Sequence, residues 1–158
     1  MKVAISGASG KTGYRICEEA LASGYKARML VRKNSFIPKQ LAQCEKCYID
    51  LNATKSLDEA LTDCDALVIA TGARPSIDLT GPARIDALGV KSQIESCKRT
   101  GVKRVILVSS LCTGRLMHPL NLFGLILIWK RIGEQALEIS GMEWTVIRPG
   151  GLNEREED

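Results

Sequence analysis

Short continuous apolar runs alternate along this chain with longer stretches whose apolar residues recur at helical spacing. Val3 to Ile5 is such a run. Lys11 to Ser23 carries Ile16, Ala20 and Leu21 on one helical face and stops at Gly24, and Ala27 to Val31 is the next strand. A weak helix from Pro38 to Gln43 leads to a third strand, Cys47 to Ile49, and a short helix from Ser56 to Leu61 precedes the strand "ALVIAT", Ala66 to Thr71. A longer helix, Pro82 to Thr100, closes at Gly101 before "RVILVSS", Arg104 to Ser110. The last pair is a helix from about Leu120 to Ser140, closed by Gly141, and the strand Trp144 to Ile147.

Strands that are continuous apolar runs are buried on both faces, which requires helices above and below a parallel sheet. The expected fold is therefore α/β, a doubly wound parallel sheet of the Rossmann type, with about six strands and helices on both faces. In such sheets ligands bind beyond the carboxyl ends of the strands, so the residues just after each strand are the candidates for chemistry.

The length of 158 residues suits one domain. A net charge of +4, with acidic and basic residues interspersed, gives no reason to expect a nucleic-acid partner. The six cysteines, Cys17, Cys44, Cys47, Cys64, Cys97 and Cys112, are scattered through a chain with its own core, which points to reduced thiols in a cytosol-like compartment. The strand at Met1 to Ile5 runs straight into a glycine turn; if Met1 is the mature start, no targeting peptide precedes it.

That turn, "GASGKTG", carries two phosphate signatures. Gly10-Lys11-Thr12 resembles the end of a nucleoside-triphosphate loop, but such a loop needs a glycine where Ile5 stands. Gly7, Gly10 and Gly13 instead follow a strand and open a helix, the context of a dinucleotide turn, with Ser9, Lys11 and Thr12 completing the candidate phosphate contacts. A site for NAD places an acidic residue at the end of the second strand, on the ribose hydroxyl. Between Glu19 and Glu45 there is none; Lys26, Arg28, Arg32, Lys33 and Lys39 stand there, and Arg32 and Lys33 directly follow the strand. The expected cofactor is NADP(H) in preference to NAD(H), with Arg32 and Lys33 on the ribose phosphate.

The stretches "GASGKTG", "VRK" at Val31 to Lys33, "IDL" at Ile49 to Leu51, "ATGARPS" at Ala70 to Ser76, "VSSL" at Val108 to Leu111, "HPLNLFGLILIWKRIGEQAL" at His118 to Leu137 and "IRPGGL" at Ile147 to Leu152 cover nearly the whole chain. Together they resemble the atypical branch of the short-chain dehydrogenase/reductases, the NmrA-like NAD(P)-binding proteins of cyanobacteria and plastids. The resemblance implies that Asp50 and Leu51 contact adenine, that Ala70, Thr71 and Gly72 line the adenosine and ribose, and that Ser109 and Ser110 lie beside the nicotinamide. It further implies that Lys130 holds the nicotinamide ribose and that Pro149 and Gly150 flank the carboxamide, with Ser110 and Lys130 as the catalytic candidates. Relatives continue into elements that close a substrate pocket, so residues 1–158 are expected to form a single NAD(P)-binding domain lacking that part. The expected localisation is cytoplasmic, or the plastid stroma in a photosynthetic eukaryote.

The pattern breaks at one position. Carbonyl reduction in this superfamily pairs a lysine with a tyrosine one helical turn earlier, the tyrosine supplying the proton. Four residues before Lys130 stands Ile126, and the tyrosines are Tyr14, Tyr25 and Tyr48. The expected activity is an NADPH-dependent oxidoreductase acting on a small molecule that needs little protein acid, such as a quinone or flavin. The alternative is a non-catalytic, NADP(H)-responsive sensor or assembly protein that meets a partner through the apolar run from Leu120 to Trp129. That run is too short to span a bilayer; it reads first as a buried helix and second as a protein or membrane-surface contact. His118 reads as a turn residue rather than a proton donor, the Cys44-x-x-Cys47 pair as incidental, and no metal site is expected.

Overall fold

The computed structural model describes residues 1–37, 39–72, 80–113, 115, 117–119 and 125–150. Six strands, β1 (Lys2–Ser6), β2 (Lys26–Val31), β3 (Glu45–Tyr48), β4 (Ala66–Ile69), β5 (Arg104–Val108) and β6 (Glu143–Ile147), form one sheet in the order β3-β2-β1-β4-β5-β6. Every neighbouring pair is parallel, with Ile5 opposite Met29 on one side and Val68 on the other. The order reverses between β1 and β4, and there the crevice of a doubly wound sheet opens.

Alternate residues of the central strands serve two cores. Ala4, Leu30, Leu67, Ile69 and Leu107 pack under the helices α2 (Thr54–Leu61), α3 (Val90–Thr100) and α4 (Ile126–Glu138). Val3, Ile5, Met29, Val31 and Val68 pack under α1 (Lys11–Ala22) and the short turn of helix at Lys39–Leu41. Burial on both faces holds for β4 throughout and for β1 from Val3 onward. It fails at the sheet edges: β3 and β6 are largely exposed, and Trp144 and Ile147 remain open to solvent. An edge strand has a neighbour on one side only, so an apolar run there does not guarantee cover.

Three elements differ from the periodicity. The third strand begins at Glu45 rather than Cys47, because Arg28 of β2 crosses to Glu45 (2.9 Å) and pins the start of the ladder. The helix expected from Pro82 to Thr100 is two pieces: a π-helical stretch, Ala83–Gly89, runs into α3, which ends on Gly101 at φ 80°. The widened stretch lies where α4 crosses it so closely that a Cβ on Gly133 would run into the Asp86 carbonyl. The last helix is described from Ile126, after Leu125 at φ 58°; residues 120–124 of the expected helix lie outside the described residues. Within the apolar run, Ile126 and Leu127 are buried and Leu125 is exposed. Among the described residues no helix is long and apolar enough to cross a membrane.

Candidate functional site

The turn after β1 is built by backbone contact. Gly7 has φ 77°, and a Cβ there would lie 2.8 Å from the backbone of Ala70 and Thr71 at the end of β4. Gly10 N donates to Gly7 O (2.9 Å), and Gly10 is the extended N-cap of α1. A Cβ on Gly13 would collide with the Gly7 carbonyl, so α1 starts hard against the strand. No acidic residue occupies the first turn of α1, leaving the positive end of its dipole uncompensated by carboxylates. Ser9, Lys11 and Thr12 lie within this turn and the helix start.

Beside the turn, past the end of β2, Ser9, Arg32, Lys33, Asn34, Ser35 and Phe36 line an open cleft of about 490 Å³. Of the basic residues counted along this stretch, Arg28 does not belong to the cleft. Its guanidinium is buried at the opposite end of the sheet, donating to the Ala60 carbonyl (2.9 Å) and Glu45.

A second, smaller cavity lies across the crevice, between the ends of β4 and β5 and helix α4. Thr71, Ser109, Asp86 and Lys130 line it, backed by Val90 and Leu107. Lys130 Nζ donates to Asp86 Oδ1 at 2.7 Å, with Asp86 2% exposed. Thr71 Oγ1 and Ser109 Oγ are buried without a hydrogen-bond partner among the described residues. Buried hydroxyls are normally satisfied, so these two, around one ion pair in a cavity of about 10 Å³, single the place out. A Cβ on Gly72 would stand 3.4 Å from Lys130 Nζ, so Gly72 forms part of the same rim. Ser110 does not line the cavity; its carbonyl accepts from Thr113 N.

Behind Lys130, one turn along α4, Glu134 is fully buried. Its carboxylate accepts from Arg148 (3.0 and 2.9 Å), Arg131 (3.0 Å) and Thr113 Oγ1 (3.2 Å). Burial opposes the charge. Arg148, the adjacent Ser109 hydroxyl, which lies outside hydrogen-bond geometry, and Arg131 outweigh it and hold the carboxyl down at about 2. Pro149 O accepts from Leu111 N (3.1 Å), and Gly150 lies against Leu111.

At the third strand's end, the Asp50 carboxylate accepts from Asn52 N (2.9 Å) in a turn that leads into α2. Leu51 reaches Gly89, approaching a Cβ position there to 3.0 Å. Cys44 is buried in the α1-side core while Cys47 packs toward the other, so the two thiols of the C-x-x-C spacing serve opposite faces of the sheet. Burial pushes the Cys17 and Cys97 thiols up to about 12. His118 does not line the cavity, and no metal-holding cluster occurs among the described residues.

The structure thus gathers Thr71, Gly72, Ser109 and Lys130 at one cavity, and Arg32 and Lys33 with Ser9 at another. Asp86 and Glu134 are the residues that sequence reasoning passed over. The available signal for Glu134 was its place four residues after Lys130, where charge recurs on one helical face.

A family model described as NAD(P)H-binding matches residues 7–158. An uncharacterized chloroplastic protein of Arabidopsis thaliana is 34% identical over 165 residues, covering 96% of this chain and 59% of that protein. Sanguinarine reductase of Eschscholzia californica is 32% identical over 195 residues, covering 98% of this chain and 71% of the reductase. A Bacillus halodurans protein described as an NAD-dependent epimerase/dehydratase superposes with a TM-score of 0.88 at 28% identity, covering 99% of this chain and 73% of that one. The chain spans about three fifths of the length of the Arabidopsis relative.

Proposed function

Because this chain belongs to the NAD(P)H-binding family, of the atypical short-chain dehydrogenase/reductase type, we propose that it is an oxidoreductase that prefers NADP(H) to NAD(H). The observation that carries the preference is the cleft beyond β2. Arg32 and Lys33 line it together with neutral residues, and no carboxylate stands among them to take up a ribose hydroxyl. A 2′-phosphate brings the negative charge those two side chains favour.

In this reading Gly7, Gly10 and Gly13 admit the pyrophosphate to the N-terminus of α1, with Ser9, Lys11 and Thr12 around it. Asp50 and Leu51 border the adenine. Ala70, Thr71 and Gly72 follow the adenosine toward the ribose, and Lys130 and Ser109 hold the nicotinamide end. The orphaned Thr71 hydroxyl beside the Lys130–Asp86 pair supports that end of the site. Pro149 and Gly150, after β6, flank the carboxamide, and Ser110 follows Ser109 on the segment after β5.

The bound dinucleotide supplies hydride. The chain's own contribution is binding, orientation and a fixed ammonium at Lys130 Nζ. Ile126, one turn before Lys130, is buried and cannot donate a proton, and no tyrosine lines the cavity among the described residues. The acceptor class that fits is one reduced without a phenolic acid, such as a quinone or flavin.

Titration calorimetry with NADPH and NADH tests the preference. NADPH is expected to bind at least about tenfold tighter, and the Arg32→Ala/Lys33→Ala variant to lose that margin while NADH binding stays unchanged. Equal affinities in the unaltered chain would refute the preference. NADPH oxidation is then assayed against quinones, flavins and carbonyls. Tight binding with no oxidation by any of them would replace the oxidoreductase with the cofactor-responsive, non-catalytic reading.

A further inference from the structure

Two stretches singled out in the sequence, the one ending in "WKRIGEQAL" and "IRPGGL", meet in three dimensions through a pair of side chains that the cofactor reading leaves unused. Glu134 comes from the first and Arg148 from the second. Arg148 closes a two-armed bond onto Glu134, Nε to one carboxylate oxygen at 3.0 Å and Nη2 to the other at 2.9 Å. Thr113 Oγ1 joins from the segment after β5, and Arg131 from α4 itself. The two segments are also laced to each other by Ser109 N to Ile147 O (2.8 Å) and Leu111 N to Pro149 O (3.1 Å).

A fully buried carboxylate costs several kcal/mol to desolvate, and apolar side chains commonly fill such places at no loss of stability. What an apolar residue cannot do is fix the direction of three donors from three elements. Here those donors tie the segment that carries Ser109, which lines the cavity with Lys130, to the segment after β6 that carries Pro149 and Gly150. We propose that Glu134 is a positioning residue: through Arg148 and Thr113 it clamps the segments after β5 and β6 in the spacing that receives the nicotinamide half of the cofactor. This rests on the cofactor reading above, and it makes Glu134 specific to one half of that site.

The test uses two probes on the same protein. NADPH spans both halves of the site, whereas adenosine 2′,5′-bisphosphate lacks the nicotinamide half. In Glu134→Gln, the NADPH dissociation constant is expected to rise about tenfold or more, with that for the bisphosphate unchanged. Arg148→Met is expected to give the same pattern. The double variant should be no worse than either single one, because both act through one clamp. Hydrogen exchange adds a readout that needs no cofactor: the amides of Ser109 and Leu111 lose protection in Glu134→Gln while those of β1 and β2 keep it. Parallel weakening of both probes would mean general loss of structure and overturn the proposal, as would unchanged NADPH binding. If the unaltered chain bound neither probe, the cofactor reading itself would fall, and with it the role given to the clamp.

Discussion

Replacing Glu134 by glutamine keeps the side chain's shape and removes its charge, and the consequence for folding can be worked from the structure. The carboxyl ionises at about 2 in the folded protein, against an ordinary 4.5. At about 1.36 kcal/mol per pH unit, the ionised form contributes on the order of 3 kcal/mol of stability. The folded value is the depressed one, so this contribution is complete above pH 4.5 and disappears as the pH falls toward 2. By pH 3 about 2 kcal/mol of it is gone. Asp58, held low mainly by its bonds from Arg99 and Ser96, and Glu45, held low mainly by Arg28, lose stability in the same direction. Only the difference between the two proteins isolates Glu134. Urea unfolding of the unaltered chain and of Glu134→Gln is measured from pH 7 to pH 3. The gap is expected to be about 3 kcal/mol at neutral pH and to close to about 1 kcal/mol at pH 3. Arg131 and Arg148 are each more than a third exposed, so in the variant both can turn to water rather than stay as buried charges. A gap that stayed constant across this range would refute the argument, because it would assign the cost to shape and not to charge.

Substitutions at Gly7, Gly133 and Lys130 probe the close backbone contacts and the buried ion pair. Gly7→Ala places a methyl within 2.8 Å of the Ala70 backbone at φ 77°, and is expected to cost roughly 2 kcal/mol or more and lower Tm by roughly 5 °C in a thermal melt. Gly133→Ala inverts the ordinary helix preference. Alanine usually gains about 1 kcal/mol over glycine within a helix, but here its methyl points into the Asp86 carbonyl, and denaturant unfolding should show a loss. Lys130→Met takes the ammonium from a carboxylate that is 2% exposed and should destabilise the protein by about 3 kcal/mol, much of it recovered when Asp86→Asn is added. Full additivity of those two changes in urea unfolding would show that the 2.7 Å pair has no energetic weight.

The fold was legible because its signals are local. Each of the four inner strands announces itself as an apolar run, each helix as a face, and the alternation of the two leaves a parallel sheet as the consistent arrangement. The exposure of β3 and β6 was not legible, since "EKCY" and "EWTVI" do not say which strands end up at an edge. The break at Gly89 was not legible either. A helical period persists across it, and the π-helical stretch arises where Gly133, 44 residues away, lets α4 press against Asp86. The basic run after the second helix-strand junction was legible only in part. Arg28 counts toward the charge of the stretch, yet alternation along β2 turns it into the sheet, toward Glu45 and Ala60.

The candidate site divides along the same line. The glycine turn could be read because its geometry is made by residues within one turn of each other. Asp86 and Glu134 could not, since the partner of the first, Lys130, lies 44 residues away, and two partners of the second, Arg148 and Thr113, lie 14 and 21 residues away, while nearby Arg131 reads as an ordinary helix pair. This difference bears on the residue one turn before Lys130. Read from the sequence, Lys130 looks like half of a pair whose other half, at Ile126, has been lost. In the structure Lys130 has a partner of its own, a buried carboxylate from the neighbouring helix, that fixes Nζ at the cavity whether or not a phenol stands one turn before it. The position of that ammonium is thus set by a pairing independent of residue 126, and no tyrosine lines the cavity among the described residues.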